Sequence, residues 1–170
     1  MALYDITLHS ADEGATRRSF RTNITAATFV TGEPVTVVAN ELVGSEGSAG
    51  GVDPVAIAGI AMEPAVSRSN RMAALEITDT GRLVELATPD KVFRARGFAT
   101  DGAGTAVVPT FAAVAGVAGN LVHDGTNWRF DTGAGNANCI GIDVLDRDGH
   151  SLGDDLELSG TGDTVLFRFL

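Results

Sequence analysis

The 170-residue chain holds one cysteine, Cys139, and one lysine, Lys91. A lone cysteine forms no internal disulfide. Cys139 lies in an apolar run without basic neighbours, so it reads as a small buried hydrophobe and not as a reactive thiol. With a single lysine, no G-x-x-x-x-G-K-[ST] phosphate loop is matched, and no G-x-G-x-x-G stands between a strand and a helix. The three histidines, His9, His123 and His150, lack the i, i+4 spacing of a zinc-binding helix. A serine nucleophile would want G-x-S-x-G on a strained turn; Gly47-Ser48-Ala49-Gly50 does not match that motif and reads as a flexible loop. Aromatic platforms for a sugar are limited to Trp128 and Tyr4. Asp154 and Asp155 are adjacent in a glycine loop, which disfavours a glycosidase pair of carboxylates. Trp128 reads as core, with Phe130 on the same strand face. No apolar stretch is long enough to cross a bilayer, and Met1 opens no secretory leader. The expectation is a non-enzymatic protein made in the cytoplasm, with no catalytic residues, cofactor, metal, membrane or nucleic-acid partner.

What is present is acid, glycine and alanine. A formal charge of −10 arises from 22 acids against 12 bases, and a chain so poor in basic residues lacks the footprint that binds phosphate backbones. The charge is uneven. Asp143 to Asp163 carries seven acids and one arginine, Arg147, whereas Arg17, Arg18 and Arg21 cluster near the N-terminus. This separation suits solubility or head-to-tail complementarity between copies. Arg17, Arg18 and Arg21 are the candidate partner-binding residues, the alternative being a solvated charge run. Asp143 to His150 contains a D-x-D-G resembling part of a calcium loop. Val144 occupies a position that needs an oxygen ligand, and Asp155 stands where a bidentate glutamate belongs, so an ordinary Asp-Gly turn is the stronger reading.

Short β-rich segments recur every eight to twelve residues or so, separated by turn chemistry, with no long amphipathic helix between them. This spacing predicts an all-β fold, a compact barrel or sandwich with long glycine-rich loops. Residues 1–22 read as an extended N-terminal arm and 23–170 as one β domain, with a division into two lobes near residue 100 as the alternative. Strands are expected at Val35–Val38 after the Thr31-Gly32-Glu33-Pro34 turn, at Val55–Met62, and at Arg82–Ala87 and Val92–Ala95 about a turn at Pro89. Others are expected at Thr105–Val108, on both sides of Asp124-Gly125-Thr126 as a hairpin, and at Thr164–Phe169. Ser45–Gly51 reads as a loop, and Asn70–Glu76 as a strand or single turn. Ile57-Ala58-Gly59-Ile60-Ala61 and Cys139-Ile140-Gly141-Ile142-Asp143 repeat one pattern. A central glycine in an apolar strand marks a bulge, a bend or a close backbone approach, here suggesting one sheet curled at two equivalent places.

Thr31-Gly32-Glu33-Pro34-Val35-Thr36-Val37-Val38, followed by Pro54-Val55-Ala56-Ile57-Ala58-Gly59-Ile60-Ala61, resembles the head decoration (cement) proteins of tailed bacteriophages. There a "G-x-x-V" strand start precedes a "GIA" or "GVA" segment in a Gly/Ala-rich β domain. The resemblance covers Phe29 to Phe98 well and the remainder loosely, with Asn138–Asp143 in the same style. It implies a structural virion protein on the outer capsid surface, bound to the major capsid protein and to itself as a trimer at three-fold or quasi-three-fold positions. The alternatives are another virion part (minor capsid, tail or fibre-base β domain) and a glycan or small-ligand binding module.

Overall fold

The computed structural model describes residues 6–11, 17–23, 28–45, 57–65, 79–153 and 162–170. Among these, twelve strands run in chain order: β1 (Ile6–Ala11), β2 (Arg17–Asn23), β3 (Pro34–Val38), β4 (Glu41–Gly44), β5 (Ile57–Ala61), β6 (Asp79–Leu86), β7 (Lys91–Ala95), β8 (Phe98–Ala99), β9 (Ala118–His123), β10 (Trp128–Asp131), β11 (Cys139–Leu145) and β12 (Thr164–Phe169). One helical turn, Phe111–Val114, precedes β9. The fold is all-β, as expected. A seven-stranded sheet has the order β1-β7-β12-β11-β9-β10-β8 and a five-stranded sheet the order β2-β6-β5-β3-β4. Neither closes into a barrel. The seven-stranded sheet takes strands from both sides of residue 100, where the sequence allows a division into two lobes.

Two apolar clusters hold the sheets. The larger is built on Phe93, Phe98, Phe130, Phe167 and Phe169 of the seven-stranded sheet and also takes in Ile60 of β5. Phe167 stands at the centre of its aromatic contacts, 6.0 Å from the Phe93 ring, 5.7 Å from Phe130 and 5.6 Å from Phe169, within the range where aromatic pairs attract. Trp128 lies in this cluster at 5% exposure, and Phe130 and Cys139 are fully buried, as read from the sequence. The smaller cluster, including Phe29, Val35, Leu42 and Val84, packs inside the five-stranded sheet.

The glycine repeat has a structural basis at both places. Pairing of β5 with β3 slips between Gly59 and Ile57, and pairing of β11 with β12 slips between Gly141 and Asp143. Each slip is a β-bulge, and an extra residue reverses which face later side chains take. Ile57 and Ile60 are an odd number of residues apart yet both pack on the larger cluster; so do Cys139 and Val144. Side-chain alternation without a bulge would send one of each pair to the wrong face. Glycine is required because neighbouring backbone comes too close. A Cβ at Gly59 would run into the Glu85 carbonyl oxygen and stand 2.8 Å from Val84 Cγ1; one at Gly141 would meet the Val114 carbonyl oxygen and stand 2.7 Å from Val114 Cγ1. The single curled sheet expected from the repeat is corrected to two sheets, each bulged in its own middle strand.

The arm expected over residues 1–22 is likewise corrected over its described residues. Ile6–Ala11 pairs antiparallel with β7, and Arg17–Asn23 with β6, so this stretch supplies an edge strand to each sheet. Short alternation such as Ile6-Thr7-Leu8 was too brief to stand out as a strand. Thr105–Val108, expected as a strand, makes one isolated bridge, Val107 to Phe98. The loop before it is pinned: Asp131, fully buried, accepts hydrogen bonds from the N–H groups of Gly102, Gly104 and Gly133 at 3.2, 3.1 and 2.7 Å. Pro109 then withholds a donor that a ladder would need. Residues 46–51 of the expected loop, 55–56 of the expected strand, and 70–76 lie outside the described residues.

Candidate functional site

Arg17, Arg18 and Arg21 all fall on β2, an edge strand of the five-stranded sheet. Alternation puts Arg17 and Arg21 on one face and Arg18 on the other. Arg17 opposes Glu85 across the β2–β6 ladder, and its Nε donates to Glu85 Oε2 at 3.3 Å. The Arg17 side chain is 50% exposed while that of Glu85 is 1% exposed, so the arginine reaches a buried carboxylate from outside. The Arg18 guanidinium lies 5.4 Å from the centroid of Phe20, two residues along on the same face, a cation–π distance that limits its freedom. Arg21 is exposed. The strand therefore carries its arginines on both faces, with Arg17 held at Glu85 and Arg18 over Phe20.

Glu85 also joins the two sheets. The Thr88-Pro89-Asp90-Lys91 turn closes with Lys91 N–H donating to the Thr88 carbonyl at 3.1 Å, as read from the sequence, but it carries the chain from one sheet to the other. Lys91, at the start of β7, is fully buried with Nζ 2.7 Å from Glu85 Oε1. The same Nζ donates to the Leu86 carbonyl at 3.1 Å. Sequence reading missed this pair; its one visible signal was that the sole lysine follows a β-strand ending in Glu85-Leu86.

Beside Glu85, a crevice of about 130 Å³ opens between the sheets, lined by Ile6, Thr7, Leu8, Thr31, Gly32, Ile60, Ala61, Met62 and Glu85. Its wall is mostly apolar. Thr7 at its edge accepts a hydrogen bond from Arg94 Nε at 2.6 Å.

The other sequence candidates are placed apart from this region. Asp146 sits in the turn between β11 and the bridge at Ser151, its Oδ1 accepting from the N–H groups of Asp148 and His150 at 2.9 and 2.8 Å. Gly149 has φ +88°, and its N–H donates to the Asp146 carbonyl at 3.1 Å. Those bonds, foremost the one from His150 N–H, hold the Asp146 carboxyl below the usual carboxylate range. This is the Asp-Gly turn, with the carboxylate directed onto its own backbone. Asp143 Oδ1 likewise accepts from Val144 N–H at 2.7 Å. Burial pushes the Cys139 thiol well up, which suits packing and not nucleophilic attack. His9, His123 and His150 belong to three separate strands or turns. Tyr4, the serine of Gly47–Gly50, Asp154 and Asp155 lie outside the described residues.

Comparison of the chain with known protein families, with characterised proteins and with solved structures finds no match.

Proposed function

We propose that the chain is a structural virion protein that binds the outside of a mature tailed-phage capsid and stabilises it, as a trimer at three-fold or quasi-three-fold positions. The observation that carries this reading is the edge strand β2 with Arg17, Arg18 and Arg21, a basic strip on a chain of formal charge −10. β4, the other end strand of the sheet, lies close to β2, so what β2 presents to a partner is side chains at defined spacing, and arginine forks carboxylates with two parallel hydrogen bonds. The resemblance over Phe29 to Phe98 adds a second support, for much of that stretch builds the five-stranded sheet to which β2 belongs.

Binding of this kind stabilises by mass action. A protein that binds the assembled lattice better than separated capsid subunits raises the free energy of disassembly. A trimer engaging several subunits multiplies weak contacts into durable attachment. No reactive centre is needed for either effect.

The test mixes purified protein with undecorated shells and follows occupancy by sedimentation and shell rupture on heating. Saturable binding with a raised rupture temperature is expected. Arg18→Ala/Arg21→Ala should lower occupancy at least tenfold while the free protein stays folded; Arg17 is left in place because it also serves Glu85. Absence of binding, or bound shells that rupture at the temperature of bare ones, overturns the reading.

A further inference from the structure

The crevice between the sheets and the arginines around it form one surface with a definite partner chemistry. Its floor includes Ile6, Ile60 and Ala61, all nearly or fully buried, and its mouth includes the partly exposed Leu8, Thr31 and Met62. A volume of about 130 Å³ is close to that of an engineered apolar cavity that admits a benzene ring, about 150 Å³. The space therefore suits one aromatic ring or one branched aliphatic side chain.

Two cations are tied to this crevice. Arg17, half exposed, bonds Glu85 of the wall at 3.3 Å. Arg94, exposed, bonds Thr7 of the wall at 2.6 Å. Glu85, the one carboxylate among the described residues of the wall, is engaged by Arg17 and Lys91, so Arg17, Lys91, Arg94 and Glu85 together carry net positive charge, with Glu33 and Glu63 next in the chain to the lining residues Gly32 and Met62. A desolvated apolar pocket with a charged rim is the usual anatomy of an interface anchor point.

We propose that this crevice is a socket for one bulky apolar side chain presented by an acidic protein segment, with carboxylates flanking that side chain to meet Arg17 and Arg94. The inference takes its partner from the capsid-binding reading, and it names the chemistry of the capsid segment: an aromatic or branched aliphatic residue between acids. The socket adjoins the basic strand, since Arg17 of that strand bonds Glu85 of the socket wall.

The test uses the full chain and three capped tripeptides, acetyl-Asp-Phe-Asp-amide, acetyl-Asp-Ala-Asp-amide and acetyl-Lys-Phe-Lys-amide, titrated while the methyl signals of Ile6, Leu8, Ile60 and Met62 are followed by NMR. The first peptide should shift those signals saturably, and each of the other two should bind at least tenfold more weakly. Leu8→Trp and Met62→Trp, each placing a larger side chain at the partly exposed mouth, should each abolish the response; two variants are used so that one misfolded protein does not decide the matter. Equal binding of the Phe and Ala peptides, or unchanged binding to a folded Trp variant, overturns the socket. Because no shells are used, peptide failure with intact shell binding removes only this inference, and shell failure with intact peptide binding removes only the capsid reading.

Discussion

At the scale of single residues, Gly59 and Gly141 do the same work in different sheets. Each sits where a strand must bulge and where another backbone carbonyl crosses close above it. Adding one methyl there forces Glu85 or Val114 to retreat, and overpacking of this kind costs roughly 1–3 kcal/mol. Gly59→Ala and Gly141→Ala should each lower unfolding stability by about that amount in denaturant titrations, whereas Gly125→Ala, which meets no atom within 4 Å, should cost only what its φ of +97° imposes. If the two buried glycines tolerate alanine as well as the exposed one does, the close-approach account is wrong. The sequence disclosed these positions because an interrupted apolar strand is legible from residue order alone. It did not disclose that they belong to different sheets, since strand partners are long-range.

At the scale of elements, the β6–β7 turn and the β9–β10 hairpin make separate predictions. Breaking a buried ion pair by removing one member leaves a charge in low dielectric, a loss of about 3 kcal/mol or more. Lys91→Met should therefore destabilise strongly, because Glu85 keeps only the half-exposed Arg17. Lys91→Met combined with Glu85→Leu should recover most of that loss. A double variant no better than the single would show that the pair is not coupled. In the hairpin, Asp124 Oδ1 accepts from the N–H groups of Asn127 and Thr126, both at 2.7 Å, and Oδ2 from Arg129 Nη2 at 2.6 Å. The Asn127 bond first, and Arg129 with Thr126 after it, hold the Asp124 carboxyl down to about 2 from an ordinary value of 3.8. A lowered folded-state value means that the ionised form is favoured by folding. The contribution is therefore complete above about pH 5 and is lost as pH falls through 3.8 towards about 2. The stability gap between wild type and Asp124→Asn should shrink between pH 5 and pH 2; a constant gap rules this out. That hairpin was legible from Asp124-Gly125-Thr126, as was the Pro89 turn. The β3–β4 hairpin was not: its two turn residues, Ala39 and Asn40, both have positive φ, 51° and 67°, a conformation usually announced by Asn-Gly. The candidate arginines were legible as a cluster, but their placement on an edge strand depended on pairing with β6, some sixty residues away.

For the whole molecule, the question is whether two sheets behave as one cooperative unit. Ile57, Ile60 and Ala87 of the five-stranded side pack on the cluster of the seven-stranded sheet, and Glu85 with Lys91 ties the sheets at 2.7 Å. Separating the sheets would expose this apolar surface and leave two charges to be resolvated, so partial opening has little to recommend it below the global transition. The chain supplies its own reporters. Lys91 is the sole lysine and is fully buried, so its ε-amine reacts with an acylating reagent only when the sheets part. Trp128 is the sole tryptophan and lies in the larger cluster, so its fluorescence reports loss of that core. Lys91 should remain unmodified under native conditions, and its labelling in urea should share the midpoint of the Trp128 fluorescence change. Labelling that runs ahead of the fluorescence would mean that the five-stranded sheet swings away first, leaving the phenylalanine core intact. The socket between the sheets would then have no fixed shape for a partner to read.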